Sequence, residues 1–91
     1  MKPIAMRLKV TGLVHGVYFR ATMAQLASEH NVKGWVRNLP DGSVEALLEG
    51  EDSSVKKVAE WARRGPPRAR VDSVSIELIP ARNLRGFKIA G

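Results

Sequence analysis

The stretch "IAMRLKVTGLVHGVYFRATMAQLASEH", residues 4–30, carries two different periodicities joined by a loop with two glycines. At its start, Ile4, Met6, Leu8 and Val10 fall on one face, and Arg7 and Lys9 fall on the other. A period of two marks a strand with one buried face. Further on, Phe19, Met23, Leu26, Ala27 and His30 recur at helical spacing, while Gln25, Ser28 and Glu29 are left for water. This predicts a helix from Phe19 or Arg20 to about His30. Asn31 suits its end, because asparagine tolerates the left-handed conformation.

A second half with the same grammar follows. "VKGWVRN" reads as a strand, and "LPDG" as a turn in which Pro40 presets φ and Asp41-Gly42 supplies hairpin chemistry. "SVEALLE" is the returning strand, with Val44, Ala46 and Leu48 on one face and Ser43, Glu45 and Glu49 opposite. Leu47 breaks the alternation and is expected at an edge. The second helix lies within "GEDSSVKKVAEWARRGPP". Asp52 or Ser53 is its expected cap, and Val55, Val58, Ala59 and Ala62 form its apolar stripe. Gly65 suits the exit, and Pro66-Pro67 forbid continuation. The fourth strand, "VDSVSIELI", is expected to turn Val74, Ile76 and Leu78 inward. After Pro80, "GFKIA" is long enough for a short fifth strand at an edge. The order β-α-β-β-α-β predicts an α+β fold class, a ferredoxin-like α/β sandwich. Right-handed crossovers place both helices on one face of an antiparallel sheet and leave the other face partly open.

Ninety-one residues are read as a single domain spanning 1–91. The chain has no cysteine, so disulfides, thiol nucleophiles and cysteine-held metals are excluded. Arg7 and Lys9 interrupt the apolar N-terminal residues, so no signal peptide is read there, and no apolar run reaches membrane-spanning length. A cytoplasmic protein without membrane attachment is the expectation. Fifteen basic against nine acidic residues leave a net charge of +6, which favours anionic partners: nucleic acid, a membrane surface or phosphorylated small molecules.

Most catalytic constellations are missing. The two histidines, His15 and His30, lie on different elements, and there is no HExxH, so no metal site is expected. His30 is expected half-buried on its helix. His15 is expected to face solvent from a loop, from which it can also approach a bound anion. That loop, "GLVHGVYFR", runs from Gly12 to Arg20 between strand and helix. Successive backbone N–H groups there can converge on an anion, reinforced by the helix N-terminus. Arg20 falls in the first helical turn, where a cation opposes the helix dipole. The cost makes sense if its guanidinium grips a phosphate through two parallel hydrogen bonds. A glycine turn with an arginine reaching into water is the other reading, and spacing alone leaves the two level. The loop lacks the GxxxxGK[ST] pattern of nucleoside-triphosphate sites.

The second notable stretch is "GWVRNLPDGSVEALLEG", residues 34–50. Asn38 stands where a strand meets a turn. It reads either as a turn-flanking residue or as an amide holding a water or substrate oxygen. Gly34 inside a strand indicates a bulge or the close approach of another backbone or ligand, the bulge being the simpler account. Trp35 reads as packing in the core or on the open face.

Together the two stretches resemble the signatures of the acylphosphatase family. "GLVHGVYFR" looks like its phosphate-binding motif, and "GWVRNLPDGSVEALLEG" looks like its second motif through Asn38, Gly42, Val44 and Gly50. The resemblance runs from about Ile4 to the C-terminus. The family usually has glutamine where this chain has His15, a departure that bears on substrate detail. The resemblance implies hydrolysis of the carboxyl-phosphate bond of acyl phosphates, giving a carboxylate and inorganic phosphate without metal or other cofactor. It implies that Arg20 and the backbone N–H groups of His15, Gly16, Val17, Tyr18, Phe19 and Arg20 hold the phosphoryl oxygens. Asn38 would then position the attacking water.

This set of parts is chemically coherent. Phosphoryl transfer needs positioning and electrostatic stabilisation more than covalent chemistry. Asparagine is no general base, so the leaving group must be good. A carboxylate qualifies, since its acid has a pKa of about 4 and it leaves without protonation. Two rivals are set against this reading. RNA-recognition modules share the fold class, but they stack bases on aromatics within a basic-glycine-aromatic signature. This chain offers only Tyr18, Phe19, Trp35, Trp61 and Phe87, without that signature. The other rival is the acylphosphatase-like accessory domain found at the start of larger hydrogenase-maturation and carbamoyl-transfer proteins. A chain ending at Gly91 with no attached domain is expected to be the free enzyme.

Overall fold

Seven elements follow one another in the computed structural model, which describes residues 2–90: β1 (Ile4–Leu13), α1 (Phe19–Glu29), β2 (Lys33–Asn38), β3 (Val44–Gly50), α2 (Asp52–Ala62), β4 (Arg70–Ile79) and β5 (Phe87–Ile89). The sheet order is β4-β1-β3-β2-β5. β1 pairs antiparallel with both β3 and β4, and β2 pairs antiparallel with β3. β5 joins β2 in parallel, so the sheet is mixed and the wholly antiparallel expectation is corrected. The reason lies in the path of the chain. β4 ends at the edge of the sheet from which β2 starts, so residues 80–86 need only cross that end to enter beside β2 in its own direction.

The helices cover one face, as the periodicities require. α2 packs on β1 and β3, and α1 packs on β2 and β5. Leu8, Val10, Val36, Val44, Ala46 and Leu48 meet Phe19, Met23 and Ala27 of α1 and Val55, Val58, Ala59 and Ala62 of α2, all buried. Each larger aliphatic side chain buried in this way contributes about 1.5–3 kcal/mol. α1 stops where expected. Asn31 takes φ 58°, and Val32 N–H bonds the Ala27 carbonyl at 2.8 Å, while Asn31 N–H bonds Ser28 at 3.2 Å. That pair of bonds satisfies carbonyls left over at the helix end.

Several expectations change. Val74, Ile76 and Leu78 sit opposite Val10, Leu8 and Met6 and so point toward the helix side. β4 is the outer strand, however, and the helices lie over its neighbours. Val74 is half-buried, and Ile76 and Leu78 are 41% and 73% exposed. Leu47 is buried in an interior strand, not placed at an edge. It faces away from the helices, on the side where Ala5 and Glu49 are also buried. The Glu49 carboxylate accepts the backbone N–H groups of Arg82 at 2.6 Å and Leu84 at 3.0 Å, tying the β4–β5 connection to the sheet. For α2, the capping residue is Glu51, with no side-chain cap bond, and Asp52 lies in the first turn. Gly34, at φ 136°, lies in unbroken β2–β3 register and brings its backbone against the Leu47 carbonyl. Close approach therefore replaces the bulge expected there. The sheet's register shift falls between Thr11 and Gly12, where β1 meets β4.

Candidate active site

The loop after β1 is held from below and curled above. Val14 and Val17 are buried, which pins both limbs of the loop to the core. Gly16 at φ 70° and Tyr18 at φ 64° are left-handed two residues apart. Such a sequence of turns aims backbone N–H groups inward. For tyrosine the conformation costs about 1 kcal/mol or more, a type of strain that gathers at functional sites. The Tyr18 ring stays 77% exposed while its residue forms the N-terminal boundary of α1. Phe19, the first helical residue, is buried and packs on Trp61 with ring centroids 5.1 Å apart.

A pocket of about 390 Å³ opens beside this loop, lined by Val14, Gly16, Tyr18, Phe19, Arg20, Ala21, Asn38 and Ile89. It brings together five residues singled out from sequence: Gly16, Tyr18, Phe19, Arg20 and Asn38. β2 delivers Asn38 at its last position, and the hairpin beyond it is short and tight. Gly42, at φ 93°, donates its N–H to the Leu39 carbonyl at 3.1 Å, and Leu39 N–H bonds the Ser43 carbonyl at 2.8 Å. The amide oxygen of Asn38 is buried and has no hydrogen-bond partner among the described residues. An unpaired buried carbonyl costs about 1–3 kcal/mol, so such an atom is informative on a residue that lines a pocket.

Two of the sequence-derived candidates turn their side chains elsewhere. Val17 goes into the core. His15 is only partly exposed, and its Nε2 lies 2.8 Å from the Ser43 carbonyl oxygen, which corrects the expectation of a solvent-facing ring. Their backbone groups remain in the loop. Ile89 was not anticipated. It reaches the pocket because β5 lies beside β2, and no local spacing signals that pairing.

Asp41, in the hairpin, accepts both the N–H and the hydroxyl of Ser43 and meets Lys9 at 3.2 Å. These bonds from Ser43, with help from Lys9, lower its pKa to about 2. Among the described residues no three metal-ligating side chains come together, and no helix is long and apolar enough to cross a membrane.

The family model described as Acylphosphatase matches residues 6–89. An acylphosphatase of Thermococcus kodakarensis is 45% identical over 91 residues, all of both chains. The structure superposes on an acylphosphatase from Coxiella burnetii with a TM-score of 0.92 at 35% identity, covering 97% of this chain and 93% of that one. For acylphosphatase from Bacillus subtilis the TM-score is 0.93 at 30% identity, with 97% and 99% covered.

Proposed function

The chain belongs to the acylphosphatase family, hydrolases that split acyl phosphates into a carboxylate and inorganic phosphate, and we propose that the pocket between the Gly12–Arg20 loop and Asn38 carries this reaction. In this reading residues 1–91 work as one domain. The phosphoryl group sits in the loop. Backbone N–H groups of His15 to Arg20 and the Arg20 guanidinium hold its oxygens, where negative charge spreads in the transition state. The Asn38 amide oxygen accepts a hydrogen bond from a water and holds it for in-line attack.

The water oxygen bonds to phosphorus as the phosphorus–oxygen bond to the acyl group breaks. The electron pair departs on the carboxylate, and the water's surplus proton passes to solvent. Neither Arg20 nor Asn38 takes a proton, which suits a leaving group that needs none. Position does the rest, because holding a nucleophile in near-attack geometry removes much of the barrier.

The observation that carries this reading is the buried amide oxygen of Asn38, without a hydrogen-bond partner among the described residues, on a side of the pocket that Asn38 lines together with Gly16 and Arg20. The test is hydrolysis of benzoyl phosphate with chelator present and inorganic phosphate as inhibitor. Turnover that resists chelator, with competitive inhibition by phosphate, is expected. Loss of turnover on chelation would overturn the metal-free mechanism, and non-competitive phosphate would overturn the loop as the binding site.

A further inference from the structure

Two hydrogen bonds end on one atom beside the pocket. The Ser43 carbonyl oxygen accepts the Leu39 N–H at 2.8 Å and lies 2.8 Å from Nε2 of His15. A carbonyl only accepts, so the ring hydrogen is on Nε2. Leu39 follows Asn38 directly, and His15 belongs to the phosphate loop. One oxygen therefore joins the backbone beside the water-holding residue to the loop that holds the phosphoryl group.

That oxygen is itself well fixed. Ser43 is 4% exposed, and its N–H and hydroxyl both donate to Asp41. The other Asp41 oxygen meets Lys9 of β1, 3.2 Å away. Bracing from strand, turn and loop converges on Ser43.

We propose that His15 is a positioning residue for the hydrolysis: its side chain sets the distance between the phosphate loop and Asn38, and so the approach of the water to phosphorus. This rests on the reading of the pocket given above. It makes a distinction that a general stabilising role does not. The groups that hold phosphate all lie on the loop and keep their mutual arrangement when the His15 bond is lost. Asn38 is what moves relative to them. Loss of the bond should therefore lower turnover and spare phosphate affinity. Both the neutral ring with hydrogen on Nε2 and the doubly protonated ring make this bond. A glutamine amide N–H can also reach a carbonyl from the same position.

The test measures benzoyl phosphate hydrolysis, and competitive inhibition by inorganic phosphate, in His15→Ala, His15→Gln, Asn38→Ala and the His15→Ala/Asn38→Ala pair. A misplacement of about 1 Å can cost up to about 100-fold, so His15→Ala should lose about 10-fold or more in kcat. Its phosphate inhibition constant should stay within about 2-fold, and His15→Gln should recover most of the loss. Because His15 acts through Asn38, the pair should be no more than about 2-fold slower than Asn38→Ala alone. The inference is overturned if His15→Ala keeps full turnover, loses phosphate affinity as steeply as kcat, is not rescued by glutamine, or multiplies with Asn38→Ala. Full turnover in Asn38→Ala alone would instead sink the reading of the pocket, and the role of His15 with it.

Discussion

Phe19 and Arg20 are chain neighbours that both line the pocket, the first buried and the second half-buried. Phe19 is 1% exposed and its ring meets that of Trp61 at a 48° tilt, whereas Arg20 stays partly open to solvent. Aromatic pairs of this kind add about 0.5–1.5 kcal/mol beyond their buried area. The first turn of α1 is thus anchored by one residue while the next is presented at the site. Arg20→Ala should leave the Phe19 anchor and the fold in place, as read by circular dichroism. It should lower kcat/KM for benzoyl phosphate by about 1,000-fold, the scale of an arginine that stabilises phosphoryl transfer. Inhibition by inorganic phosphate should weaken with it.

Asn38→Ala should separate binding from turnover. It removes the amide proposed to hold the water and none of the loop, so kcat should fall by about 100-fold while the phosphate inhibition constant changes less than about 2-fold. Steady-state kinetics with phosphate as competitor read both quantities.

Asp41 gives the hairpin a defined acid response. Its folded pKa, about 2, lies below the ordinary value of 3.8. A lowered carboxylate contributes stability that is fully present above the unfolded value and is lost as pH falls through the folded one. Wild type should therefore melt at a higher temperature than Asp41→Asn at pH 6. The gap should close progressively between about pH 4 and pH 2. Thermal melts followed across that range check it, and a gap independent of pH would remove the carboxylate from the account.

At Gly34 there is no room for a side chain. A methyl group there would run into the Leu47 carbonyl, and φ 136° is unfavourable to any residue with a Cβ. Gly34→Ala should destabilise by about 3 kcal/mol or more, read from urea unfolding, because clash and backbone strain add.

Exposure of Leu78 makes the opposite forecast. Truncating this 73% exposed side chain to serine should change stability by no more than about 0.5 kcal/mol. Leu48→Ala, in the core, should cost about 2–5 kcal/mol. Chemical denaturation of the two variants side by side reads the contrast.

What could be read ahead of the structure was what repeats locally. The alternation of Ile4, Met6, Leu8 and Val10 and the stripe of Val55, Val58, Ala59 and Ala62 each report their own element's buried face. Arg20 and Asn38 stand out as candidates because their positions beside glycines and a turn carry meaning within a few residues, and the structure brings both to one pocket. Ile76 and Leu78 were misjudged because a strand's pattern tells which way side chains point and not whether a helix covers them. Leu47 was misjudged because its strand lies inside the sheet, and strand order is set between segments distant in the chain. Glu49 takes the face expected of it, but its burial against the backbone N–H groups of Arg82 and Leu84, about 35 residues away, has no local signal. His15–Ser43 is likewise a contact between distant segments, and so is the parallel docking of β5 that brings Ile89 to the pocket.

That docking has a consequence in time. β5 follows the other described strands in the chain, yet it lies against the strand that ends in Asn38 and supplies Ile89 to the pocket wall. On the ribosome the loop, the arginine and the asparagine all emerge well before the pocket can close. The pocket wall is therefore complete only once residues 87–89 have joined the sheet.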